Sequence, residues 1–180
     1  MSVRGVLQVH SAPPALCPHV EWAVAGVLGV PVSLPWVSQA AAPGMVRAEL
    51  NWQGSTGASA AITSALAGWS RLRFEVTEEA SPGCDAVRYS YTPDLGIFSA
   101  VTMANGDILI PESRLRAVMA VATPVMAGSR PPSPAGSLPD RVSSLEDEIA
   151  RLLGQPWDDE LEPFRCAGDG APVRWLHATG

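Results

Sequence analysis

VRAELNWQGSTGASAAITSALAGWSRLRFEVTE, residues 46–78, carries the clearest architectural signal in the chain. In 46–53, Val46, Ala48, Leu50 and Trp52 alternate with Arg47, Glu49, Asn51 and Gln53. That is the period of two of a strand with one polar face. Over 54–69 the spacing becomes helical, with Ile62, Ala65, Leu66 and Trp69 as the apolar stripe and Ser55 or Thr56 placed as its cap. Alternation then returns: Leu72, Phe74 and Val76 read as inward, and Arg71, Arg73 and Glu75 as outward. The unit is strand, helix, strand.

The same order stands upstream. VRGVLQV (3–9) reads as a strand, and PHVEWAVAGVLG (18–29) as a helix with Val20, Ala23, Val24, Val27 and Leu28 on one face and Gly29 as its stop. VPVSLPW (30–36) alternates but holds Pro31 and Pro35, which cannot donate to a ladder and so predict an edge strand. The series β-α-β-β-α-β is the split βαβ of ferredoxin-like folds. The expected class is therefore α+β, a ferredoxin-like core, with the half-polar strands forming a sheet covered by helices on one side.

Downstream, 84–111 predicts further strands with Asn105-Gly106 as a hairpin turn. ESRLRAVMAVA (112–122) predicts a short helix with Leu115, Val118, Met119 and Ala122 on one face. Residues 123–139 are rich in Pro, Ser and Gly and read as a linker loop. Asp140 is placed to cap an amphipathic helix with Val142, Leu145, Ile149 and Leu152 as its stripe. A second short helix follows, with Pro156 near its first turn, and then a last strand within 168–177. The expected organisation is a core over 1–122, a linker over 123–139, and an acidic extension over 140–180 that packs on the core.

With 47% hydrophobic residues in 180, the chain can bury a core. All twelve basic residues are Arg, and the net charge is −6. Residues 140–162 hold eight acids against Arg141 and Arg151 and account for all of that charge, so the remainder is neutral. Such a chain lacks the basic face that nucleic-acid binding needs. No signal peptide and no membrane-length apolar run is apparent, and Cys17, Cys84 and Cys166 read as free thiols, so a cytoplasmic protein is expected.

HSAPPALCPHVEW (10–22) concentrates the reactive side chains. His10, Cys17 and His19 are three possible zinc ligands, but Cys-x-His is not a usual pairing and no second pair follows. Cys17 at a helix start, with His19 as base, is the alternative of an activated thiol. Pro18 at the start of an ordinary helix accounts for the same residues, and that reading is preferred. DDELE (158–162) lacks the pattern of a calcium loop, and YTPDLG (91–96) puts Asp94 in ordinary turn chemistry. The GSTGAS turn (54–59) is a weak anion-site signal and lacks the lysine of a phosphate loop. No catalytic triad, metal set or cofactor motif can be placed, so neither enzymatic residues nor a cofactor are expected. Trp22 lies opposite the helix's apolar stripe, beside His19 and Gly26, and is either covered by another element, such as the C-terminal one, which is the preferred reading, or a docking anchor; Asp158, Asp159 and Glu160 could steer a partner's basic surface.

RGVLQVHSAPPALCPHVEWA (4–23), LRFEVTEEASPG (72–83), YTPDLGIF (91–98) and WDDELEPFRCAGDGAPVRWLH (157–177) together resemble an actinobacterial family of small proteins of unknown function. Residues 123–139 depart from it. The resemblance implies a gene context close to type II fatty acid synthesis. It thereby implies a non-enzymatic regulator that binds and inhibits acyl-CoA carboxylase, without nucleic-acid or membrane partners. The competing expectation is an enzyme or small-molecule binder built on His10, Cys17 and His19, with Asp94.

Overall fold

A computed structural model describes residues 2–122 and 138–165. Strands β1 (Ser2–Ala12), β2 (Val37–Ser38), β3 (Val46–Ser55), β4 (Arg73–Glu78), β5 (Ala86–Thr92), β6 (Gly96–Thr102) and β7 (Ile108–Leu109) form one sheet in the order β2-β3-β1-β4-β5-β6-β7. Every neighbouring pair is antiparallel. The helices are α1 (Cys17–Leu28), α2 (Ala58–Leu66), α3 (Glu112–Ala122), α4 (Leu138–Leu152) and α5 (Gln155–Arg165). The protein is thus a mixed α/β molecule with a sheet larger than the expected core and hairpin. β5 to β7 extend it past β4, so β4 is an interior strand.

The alternating patterns carry the core. Leu7 and Val9 of β1 pair in register with Leu50 and Ala48 of β3 and with Val76 and Phe74 of β4. On this face lie the buried Val20 and Val24 of α1 and Ile62 and Leu66 of α2. Phe74 stacks on Tyr91, with ring centroids 5.1 Å apart, and the Tyr91 hydroxyl accepts the Gly68 N–H at 2.9 Å, tying the end of α2 to β5. Gly5 exists for a close approach. A Cβ there would stand 2.0 Å from the Thr77 carbonyl oxygen and 2.3 Å from the Trp52 ring, so the Trp52 indole packs against a strand that only glycine leaves open.

Several expectations are corrected. The strand over 30–36 is absent, and only Val37 and Ser38 pair with β3, at the edge of the sheet. Its prolines lack N–H groups, and Glu21 of α1 takes the Leu34 N–H at 2.8 Å and the Trp36 indole N–H at 3.0 Å. Neither Ser55 nor Thr56 caps α2. The cap residue is Gly57 at φ 86°, and the Glu78 carboxylate of β4 accepts the Gly57 and Ser59 N–H groups and the Ser59 hydroxyl, the hydroxyl at 2.7 Å. Burial opposes ionisation of Glu78, but these three donors outweigh it and hold the carboxyl below its usual range. Ala65 is exposed, whereas Ala58, Ser59 and Thr63 join Ile62 and Leu66 inside. Asp140 lies within α4, which begins at Leu138, rather than at its cap.

The largest correction concerns the second face of the sheet. Arg73 and Glu75 of β4 read as outward, on a polar face of the sheet, yet α5 lies across that face and contacts β1 and β5. Leu161 of α5 is fully buried there, worth about 1.5–3 kcal/mol of apolar transfer. Trp157 packs on Phe98 at 5.2 Å between centroids and donates its indole N–H to the Gly96 carbonyl at 2.9 Å. The sheet is therefore covered on both faces.

Candidate functional site

The most charged interior of the molecule lies between the sheet and α5. Glu75 is 2% exposed. His10 Nε2 lies 2.7 Å from its Oε2. Arg88 donates Nε and Nη2 to Oε1 at 3.1 and 2.7 Å, and Ser90 donates its hydroxyl to the same oxygen at 3.0 Å. From α5, Arg165 donates Nε to Oε2 at 3.0 Å and Nη2 to Oε1 at 2.7 Å. Asp158, two turns before Arg165 on the same face of α5, accepts from Arg165 at 2.7 Å and from Arg88.

Each element positions its residue for a local reason. Pleating turns Glu75 away from the Phe74 and Val76 side of β4. The pairing of β1 shifts between Val9 and Ser11, and His10 sits at that irregularity; such bulges re-aim a side chain. Gln39 holds the bulge by donating to the His10 carbonyl at 2.6 Å and also reaches the Phe164 carbonyl of α5 at 3.2 Å. Arg88 and Ser90 face Glu75 from the neighbouring strand, where Ser90 is its register partner. Beside the cluster, Arg73 pairs with Glu160 at 3.0 Å and lies over the Phe164 ring at 5.0 Å.

Two carboxylates, Glu75 and Asp158, face two guanidiniums, Arg88 and Arg165, with His10 beside Glu75. Burial penalises the Glu75 carboxylate, but the His10 hydrogen bond and the charges of His10, Arg88 and Arg165 outweigh it and hold the carboxyl far below its usual range. Burial likewise works against the Arg165 charge, and Glu75 and Asp158 reverse it, raising that guanidinium. A His–carboxylate contact is the geometry of an oriented general base. Here, however, four side chains fill the acceptor sites of Glu75, and His10 is itself enclosed. What the arrangement does chemically is bind α5 to the sheet.

The residues singled out in the sequence divide. His10 belongs to this cluster. Cys17 is at the start of α1, where its thiol lies 3.9 Å from the Pro13 carbonyl oxygen; burial first, and Glu21 second, push the thiol up, away from thiolate. His19 is exposed. Asp94 is exposed in the turn between β5 and β6, where the Thr92 hydroxyl oxygen takes the Leu95 N–H at 3.2 Å. Among the described residues, no three His, Cys, Asp or Glu come close enough together to hold a metal ion. Cys166 and the strand expected within 168–177 lie outside the described residues.

Trp22 is 79% exposed in the middle of α1, with Pro18, His19 and Gly26 exposed around it. Of the three acids read as docking residues, Asp158 and Glu160 face inward to Arg88, Arg165 and Arg73, and Asp159 is exposed and accepts from Gln155 at 2.7 Å. The sequence reading missed Glu75, Arg88 and Arg165. One local signal existed: Asp158, Leu161 and Arg165 fall on one face of α5 at helical spacing, with the apolar residue between the charges. No helix among the described residues is long and apolar enough to cross a membrane.

No curated protein and no solved structure matches the chain. Residues 6–178 match the family described as protein of unknown function, DUF3145, and the chain belongs to that family.

Proposed function

We infer that this chain is a non-enzymatic regulator that works by binding another protein through the outer face of α1. The observation that carries the reading is the exposure of Trp22 on an otherwise well-packed helix. A tryptophan is the side chain most often found as a binding hot spot, and leaving it in water is unfavourable unless a partner covers it. Pro18, Gly26 and Val30 are also exposed and give the surface around the indole a low, apolar relief. Asp159 and Glu162 add exposed negative charge on α5, suited to a basic rim.

The partner we assign is acyl-CoA carboxylase, with inhibition as the effect. That assignment follows from the resemblance to an actinobacterial family encoded near type II fatty acid synthesis, and from a carboxylase surface that must attract anionic CoA. The first four strands, in the order β2-β3-β1-β4, are read as a ferredoxin-like unit, a scaffold that hosts many functions and favours none. The competing enzyme reading gains nothing from a raised Cys17 thiol and an engaged His10.

The test is binding of the full chain to purified acyl-CoA carboxylase, with malonyl-CoA formation assayed in parallel. The expected result is micromolar or tighter binding, inhibition, and a loss of about 30-fold or more in affinity on Trp22→Ala, the size of a hot-spot residue. No binding removes the carboxylase assignment. Binding that is indifferent to Trp22→Ala removes the α1 surface.

A further inference from the structure

The core face of the sheet continues past α2. Tyr91 of β5 lies in the core, stacked on Phe74, and the period of two puts Tyr89 and Val87 on the same face. Register carries that face onto the outer strands. Tyr89 is opposite Ser99 of β6, and Val87 is opposite Val101, which in turn pairs with Leu109 of β7. Two rows result. Val87–Val101–Leu109 is apolar and crosses three strands, a length of about 10 Å. Tyr89–Ser99 carries two hydroxyls.

A cavity of about 280 Å³ stands on this floor, walled by Ile110, Pro111 and Leu152. That is near the small end of ligand sites. β7 runs antiparallel to β6, so beyond Leu109 the chain heads back toward Ser99, and Arg114, in the first turn of α3, lines the cavity there. Arg114 has no acidic partner among the described residues; Glu112 of the same turn pairs with Arg116 at 2.8 Å. The Tyr89 and Ser99 hydroxyls likewise have no hydrogen-bond partner among the described residues. Burial, and then the charge of Glu78, push the Tyr89 hydroxyl up, so it keeps its proton and can donate.

The chemistry of the occupant follows from this lining. It offers three donor side chains and no carboxylate, which calls for an anion. One guanidinium offsets one negative charge, and its fork matches a carboxylate through two parallel hydrogen bonds. A phosphate monoester carries about −1.5 to −2 and would leave charge uncompensated beside an apolar wall. The Val87–Val101–Leu109 row asks for a hydrocarbon body of its own length, and desolvating that body supplies affinity.

We propose that this cavity binds a small monocarboxylate with an apolar body of about eight carbons, its carboxylate on Arg114, Ser99 and Tyr89 and its body along Val87, Val101 and Leu109. The site is separate from the Trp22 surface of α1 and stands whether or not the carboxylase is a partner. The test is a titration of the full chain with octanoate, followed through its amide NMR signals, with acetate, octan-1-ol and octylammonium as comparison ligands. Octanoate saturates with a Kd below about 1 mM and shifts the amides of Val87, Ser99, Val101 and Arg114. Octan-1-ol binds at least tenfold more weakly, and acetate and octylammonium do not saturate. Arg114→Gln, at an exposed position, weakens octanoate at least tenfold and leaves octan-1-ol unchanged. The proposal is overturned by an octanoate titration without saturation, by shifts centred on another part of the protein, by octan-1-ol or octylammonium binding as tightly as octanoate, or by an Arg114→Gln variant with undiminished octanoate affinity.

Discussion

Replacing Glu75 by Gln tests the reading of the buried cluster most directly. The exchange keeps shape and volume and removes one charge. Glu75 accepts from His10, Arg88, Ser90 and Arg165. In the variant, Arg88 and Arg165 keep Asp158 but lose Glu75, the cluster carries one negative charge fewer, and an amide N–H₂ faces donors. Breaking a buried ion pair from one side costs about 3–5 kcal/mol, because the partner's desolvation is left uncompensated. For a protein of this size each kcal/mol moves Tm by about 2–4 °C, so a fall of roughly 6–20 °C is expected. Urea unfolding at pH 7, followed by Trp fluorescence, measures the loss. The pH arm has a fixed sign. The folded carboxyl titrates far below its usual range, so its stabilisation is fully present above the unfolded value of about 4.3 and fades as pH falls below it. Glu78 titrates in the same direction; the diagnostic quantity is therefore the difference between wild type and Glu75→Gln, which should shrink between about pH 4 and pH 2. A loss under about 1 kcal/mol at pH 7, or a difference flat with pH, would refute the idea that this carboxylate holds α5 down.

Other perturbations follow from single contacts. Trp22→Ala should leave unfolding within about 0.5 kcal/mol of wild type, since the indole is 79% exposed; a larger fall in urea titration would mean that the ring is covered. Gly5→Ala places a Cβ 2.0 Å from the Thr77 oxygen and should destabilise by about 1–3 kcal/mol or more, read as a lowered urea midpoint. Gly154→Ala combines φ 76° with a Cβ 2.6 Å from the Phe98 ring. It should loosen the turn between α4 and α5, seen as faster exchange of the Trp157 indole N–H. Cys17, with its raised thiol, should react with iodoacetamide at pH 7.5 more slowly than the exposed Cys84; peptide mapping by mass spectrometry decides the order.

Local patterning made much of the scaffold legible. The alternation in 46–53 and 72–76 and the Val20–Leu28 stripe all face the core as read, because burial on one face imposes a period on consecutive residues. Asn105-Gly106 likewise marked the β6–β7 hairpin, where Gly106 has φ 90°. Proline was read correctly as harmful to a strand over 30–36 but underestimated: two missing donors, plus Glu21 offering another acceptor, reduced the strand to Val37 and Ser38.

What the residues could not announce were partnerships between distant segments. Glu75 alternates as an outward residue should, and nothing near it in the chain says that α5 will cover it. Its partners come from positions 10, 88, 90 and 165. The cap of α2 comes from Glu78, 19 residues beyond Ser59, rather than from the serine or threonine beside it. Composition and period thus settled that this chain builds a half-polar sheet under two helices, since those properties depend on neighbours one to four residues apart. Whether the polar half faces water or a fifth helix, and so whether Asp158 and Arg165 are surface charges or members of a buried cluster, depended on long-range packing, where the energy of a charge is set by what surrounds it in space.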